Sequence, residues 1–201
     1  MSVADFAKLC AIRRDDKGLA DEMLHDVATR LQAEGLTLAG VLQRDTMREG
    51  RRRCDMDLID LGSGDILRIS EDRGNEARGC RLDTSAMADA AARIESGIAL
   101  GANLVIINKF GKAEGEGRGL RDVIAVALAQ DIPVLLGVSE TSIEALRAFA
   151  GDYCTVTSPD REFLDTWLVG NLLTIGGRAI DSRGAGDVIE AARSRLSVGI
   201  S

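Results

Sequence analysis

Aromatic side chains make up only 3% of this 201-residue sequence: one Trp, one Tyr and four Phe. A core must therefore be built from Leu, Ile, Val, Ala and Met. Histidine occurs once, as His25, and the four cysteines (Cys10, Cys54, Cys80, Cys154) form no Cys-x-x-Cys pair. A four-ligand zinc centre is not expected from such a set. No apolar run approaches the roughly 18 residues of a membrane helix. Positive charge is in deficit, with 25 Lys and Arg against 32 Asp and Glu and a net charge of −7. That balance argues against a nucleic-acid or anionic-membrane binder, which needs a basic surface. The opening MSVADFAKLC has neither the basic start nor the apolar stretch of a secretion signal. The expectation is a cytoplasmic protein with reduced thiols.

The most specific absence is the phosphate-binding loop. The motif G-x-x-x-x-G-K-[ST] supplies backbone amides and a lysine to phosphates and a hydroxyl to magnesium. Lys17-Gly18 has the order reversed. Gly111-Lys112 is followed by Ala113, and the upstream glycine would have to be Ile106.

What is present is an alternation of strands and helices. Lys8 to Ile12 reads as a first strand, followed by the polar turn Arg13 to Gly18. Ala20, Met23, Leu24, Val27, Ala28 and Leu31 recur at helical spacing, with Gly35 as the stop. His25 falls beside that apolar face and reads as a surface or half-buried residue. Leu36 to Gln43 is a strand. After an arginine-rich turn, Asp55 to Leu61 and Ile66 to Ile69 form a hairpin around Gly62-Ser63-Gly64-Asp65. Residues 71–81 are too polar for a buried element. Asp83 or Thr84 caps a helix carrying Met87, Ala90, Ala91, Ile94 and Ile98. Leu104 to Ile107 is a continuous apolar run, the signature of a buried parallel strand. A helix bearing Leu120, Val123, Ile124, Ala127 and Leu128 follows, then a strand over Pro133 to Val138. Thr141-Ser142-Ile143-Glu144 has the capping-box form and opens a helix through Phe149. Tyr153 to Val156 is a last strand, and Ser158-Pro159 starts a helix with Phe163, Leu164, Trp167 and Leu168. The expected fold is α/β: a single three-layer parallel-sheet domain over residues 1–169, with an antiparallel hairpin inserted in the sheet or at its edge. Residues 170–201 form a C-terminal extension: a docked segment, a dimer arm or irregular chain.

The segment LAGVLQRDTMREGRRRCDMDLIDLGSG, a helix, and then LVIINKFGKAEGEGRG resembles a bacterial family of uncharacterised proteins, a domain of unknown function. NKFGKAEGEGRG and RGCRLD carry the likeness, which spans residues 8 to 168. In layout the family is similar to the small nucleoside-triphosphatases first found in thermophiles, which implies a fold like that of P-loop NTPases. The resemblance aligns Glu114 with those enzymes' glutamate, a water-positioning group. Their acidic magnesium holder corresponds to the neutral Asn108. Without that acid and the phosphate-loop lysine, charge on a transferred phosphate would go largely unstabilised. Enzymatic activity is therefore not carried over. Members are often encoded near molybdate-transport genes, which implies a context of anion or metal handling.

Two stretches are candidate sites. In the first, Asn108, Lys109, Gly111, Lys112, Gly115, Gly117 and Arg118 lie between a strand and a helix. Glycine amides, a helix start and three cations are suited to an anion; the competing reading is a solvated loop whose charges, Glu114 and Glu116 included, pair among themselves. In the second, Arg53-Cys54 and Arg78-Gly79-Cys80-Arg81 each place cysteine beside arginine and an aspartate three residues on. Arginines lower a thiol pKa and clamp oxyanions such as phosphate or molybdate, while thiolate with carboxylate suits a soft metal; reduced cysteines beside surface salt bridges are the plainer account. Cys10 and Cys154 read as core thiols.

Three functions remain open. The first is a non-catalytic binding or regulatory protein whose degenerate nucleotide-type site holds a small anion or nucleotide. The second is a divergent nucleoside-triphosphatase using Glu114 and magnesium, and the third a homodimeric interaction module.

Overall fold

The computed structural model describes residues 7–15, 18–46, 55–70 and 83–172. Seven strands form one sheet: β1 (Leu9–Arg13), β2 (Leu38–Thr46), β3 (Asp55–Asp60), β4 (Ile66–Arg68), β5 (Leu104–Phe110), β6 (Val134–Val138) and β7 (Cys154–Thr157). Their spatial order is β4-β3-β2-β5-β6-β1-β7. The five strands from β2 to β7 in that order run parallel. Strands β3 and β4 add antiparallel, so the hairpin lies at the sheet's edge. The helices are α1 (Leu19–Ala33), α2 (Thr84–Ala99), α3 (Lys112–Gly115), α4 (Arg121–Ala129), α5 (Ile143–Ala150) and α6 (Arg161–Leu172).

Alternation along the strands assigns the two faces. Leu9 and Ala11 of β1, and Val105 and Ile107 of β5, face a core completed by α2, α4 and α5. Cys10, Ile12, Leu104 and Ile106 face a second core completed by α1, α6 and Trp167. Strands covered on both faces must be apolar throughout, which is why the runs at 104–107 and 134–138 were legible. Helices on both sides of one mostly parallel sheet, with an antiparallel edge, are consistent with a P-loop-like α/β domain. One close approach fixes a residue type: a Cβ on Gly40 of β2 would sit 1.9 Å from the carbonyl oxygen of Ile106, its neighbour across the ladder.

Helix starts follow the nearest usable acceptor. Asp83 caps α2, its carboxylate accepting from the N–H groups of Ser85 (2.8 Å) and Ala86 (3.1 Å). Two expected caps are displaced. The segment Glu140–Ser142 is a 3-10 turn, and the Ser142 hydroxyl bonds Ser139 Oγ at 2.8 Å instead of capping α5. Helix α6 is capped by Asp160, whose carboxylate accepts from the Phe163 N–H at 3.1 Å; Ser158-Pro159 lies before it. A carboxylate one residue before the helix is a stronger acceptor than a hydroxyl three residues away. Helix α6 runs through Leu172, with Asn171 and Leu172 buried, three residues beyond the expected boundary at 169. The C-terminal extension lies outside the described residues from 173 onward.

Candidate functional site

In an open α/β sheet, ligands bind outside the carboxyl ends of the strands, where successive crossovers leave toward opposite faces. Here that point is between β1 and β6. From β1 the chain crosses into α1, on one face; from β6 it passes to α5, on the other. The Arg14 N–H donates to the carbonyl of Val138 at 2.8 Å, so the two strands stay paired to the point where their loops part.

Three side chains meet above this crevice. Arg14 donates to Asp21 of α1 through Nε (3.0 Å) and Nη2 (2.6 Å), a bidentate pair. Asn108 donates from Nδ2 to the same carboxylate at 3.2 Å. Asn108 lies where the pairing of β5 with β6 slips between Ile107 and Phe110; such bulges re-aim side chains at strand ends. It is 2% exposed, and its Oδ1 has no hydrogen-bond partner among the described residues.

At the start of α1, Asp15 Oδ1 accepts from the Leu19 N–H at 3.1 Å. Asp21 and Glu22 occupy the first turn. The helix N-terminus that would attract a phosphate thus faces the chain's own carboxylates. A nucleotide–magnesium group does not fit these residues: the strand-end side chain is the neutral Asn108, and the carboxylate beside it is already held by Arg14.

The glycine-rich loop is organised from within by Glu114, which is 5% exposed. Its Oε2 accepts from the Gly111 N–H (2.9 Å) and its Oε1 from the Leu120 N–H (3.1 Å). Gly119, at φ +63°, leaves room for it: a Cβ there would come within 2.1 Å of Oε1. Lys112 pairs with Glu116 at 3.7 Å, and Arg118 pairs with the same carboxylate. The Arg118 hydrogen bond holds the Glu116 carboxyl below its usual range. Arg121 stacks over the Phe149 ring, its guanidinium carbon 4.7 Å from the centroid. Gly115 lies against α5, where a Cβ would meet that of Ala145 at 3.1 Å. Gly117 occupies the turn beyond α3, at φ +82°. Lys109, half-buried, follows Asn108 in the bulge.

The structure thus brings Asn108 to α1, pairs Lys112 and Arg118 with Glu116, and holds Glu114 on backbone amides. Arg53, Cys54, Arg78, Cys80 and Arg81 lie outside the described residues. Cys10 and Cys154 pack on opposite faces of the sheet. Burial pushes their thiols up to about 12 and about 11. His25 is half-buried on α1. Among the described residues no three of His, Cys, Asp and Glu group as a metal site, and no helix is long and apolar enough to cross a membrane. The Arg14–Asp21 pair was missed in the sequence. Its only signal was an arginine at a strand end followed by an acid in the next helix's first turn.

A family model covers residues 9–167, described as a protein of unknown function (DUF2478). The chain belongs to this family. It is also similar to the molybdenum import ATP-binding protein ModC 2 of Bradyrhizobium diazoefficiens, with 37% identity over 147 residues. That match takes in 73% of this chain and 16% of the relative, so the chain spans about one sixth of the relative's length. No solved structure matches.

Proposed function

We propose that this chain is a non-catalytic accessory domain serving molybdenum import, on a scaffold laid out like a nucleotide-binding one. The observation that carries this reading is the hydrogen bond from the Leu19 N–H to the Asp15 carboxylate at the start of α1. With Arg14 beside it already paired to Asp21, the position a triphosphate needs offers the Asp15 carboxylate and an arginine whose charge is taken. The missing phosphate-binding motif supports the same conclusion. The buried Glu114, with each oxygen on a backbone amide, holds a loop together and is not presented to an attacking water. The link to molybdenum comes from the relative's name. On this reading, the ATP binding named for that protein belongs to its length outside the stretch resembling this chain.

An oxyanion, molybdate first, would fall to Arg53, Cys54, Arg78, Cys80 and Arg81, because Lys112 and Arg118 of the glycine loop share Glu116. Phosphate release from ATP and GTP, with and without magnesium, tests the non-catalytic part. The expected result is release no faster than in buffer. Magnesium-dependent release that disappears in Glu114→Gln would instead establish the triphosphatase. For the oxyanion part, molybdate should raise the melting temperature of the wild-type chain and lose that effect in Arg78→Ala; an unchanged shift removes that segment from the site.

A further inference from the structure

We propose that the crevice between β1 and β6 takes a small amine-bearing ligand and rejects tetraoxoanions. The inference deepens the reading above, resting on its conclusion that no triphosphate occupies this crevice. It begins from Asn108 Oδ1, a buried acceptor with no donor among the described residues. Such an atom has lost its hydrogen bonds to water and gained nothing in exchange. The amide's orientation is fixed, because Nδ2 donates to Asp21 and turning the group over would set Oδ1 against that carboxylate. The missing partner is therefore an N–H or O–H donor.

The surrounding charge narrows the choice. Among the described residues at the ends of β1 and β6 and the start of α1, Asp15, Asp21, Glu22 and Glu140 outnumber Arg13 and Arg14, with Lys109 next to Asn108 in the chain. Arg13 is paired with Glu140 at 3.4 Å and Arg14 with Asp21. Molybdate or sulfate offers only acceptors and negative charge, leaving Oδ1 unsatisfied and opposing the carboxylates. An ammonium or amine group offers donors of the kind that both Asn108 Oδ1 and the Asp21 carboxylate accept, and Asn108 Nδ2 already lies 3.2 Å from that carboxylate. In the free protein Arg14 supplies the positive charge that pairs with Asp21. With Arg14 and Asp21 side chains 25% and 30% exposed, the guanidinium is the group that swings aside to admit the ligand.

Methylammonium chloride, titrated into the isotopically labelled full chain against sodium chloride at equal ionic strength, is the probe. The Asn108 side-chain amide and the Leu19 backbone amide are the reporters. The proposal expects saturable shifts of both; the Leu19 shift is lost in Asn108→Leu, and both shifts appear at lower methylammonium concentration in Arg14→Met, where the competing guanidinium is gone. Sodium molybdate should leave both resonances in place. Methylammonium shifts no different from those of sodium chloride, or a Leu19 shift retained in Asn108→Leu, would overturn the proposal; so would molybdate moving the same resonances. A chain that releases phosphate yet fails this titration loses both readings. One that releases none but fails it loses only this one.

Discussion

Single residues set the limits on chemistry here. Glu114 is acidic and loop-borne, both marks of a catalytic group, yet its two oxygens are each spent on a backbone amide. Replacing it with Gln keeps one acceptor and turns an NH2 toward a backbone donor. Glu114→Gln is expected to cost about 1–3 kcal/mol, the range for leaving a buried polar group unsatisfied, measured by urea denaturation. A loss of under a few tenths would show that the loop does not depend on this carboxylate. Cys10 gives a pH prediction. Burial raises its thiol from 9.0 to about 12, so the unfolded chain ionises first as pH rises. Its effect on stability is nil below about pH 9 and increasingly unfavourable from there toward pH 12, with a slope near ~1.4 kcal/mol per pH unit. Stability curves of the wild type and Cys10→Ala should therefore run parallel at neutral pH and converge in alkali. A constant offset across that range would contradict the burial of this thiol.

At the scale of elements, caps and junctions decide what sequence reading can reach. The strands at 104–107 and 134–138 were legible because burial on both faces leaves only apolar residues in the run. The cap at Asp83 was legible because one carboxylate stands directly before an apolar-periodic segment. The capping box at Thr141 was not formed, since three neighbouring hydroxyls satisfy one another: Ser139 Oγ lies 3.3 Å from Thr141 and 2.8 Å from Ser142. Pattern alone cannot reveal such a competition. The Asn108–Asp21 contact spans 87 positions and depends on strand order, which no local pattern encodes. The start of α1 yields its own prediction. Asp15→Ala frees the Leu19 N–H and should destabilise by about 0.5–2 kcal/mol, as lost N-terminal caps do, read from the denaturation midpoint. An unchanged midpoint would mean that the carboxylate does not hold the helix start.

For the whole molecule, the sheet order places β1 between β6 and β7 and puts the crevice at the carboxyl ends of β1 and β6. That is where a nucleotide-handling fold keeps its ligand, and here the position carries an internal network of Arg14, Asp21 and Asn108 with Asp15 alongside. Shared layout with an enzyme class does not by itself decide the chemistry, which depends on side chains at a few positions. Packing ties the two ends of the described chain together: Trp167 of α6 is fully buried, and its indole N–H donates to the Ala7 carbonyl at 2.7 Å. Trp167→Ala should cost about 3–5 kcal/mol, enough to remove much of a domain's stability. Retention of the wild-type melting temperature in that variant would contradict the docking of α6.

On the function proposed above, the start of α1 is closed to a triphosphate by the chain's own carboxylates. Calorimetric titration of magnesium–ATP into the purified chain tests it most directly. The account predicts no saturable heat up to millimolar nucleotide. Saturable binding of about one equivalent, weakened when substitutions are made at the start of α1, would contradict it.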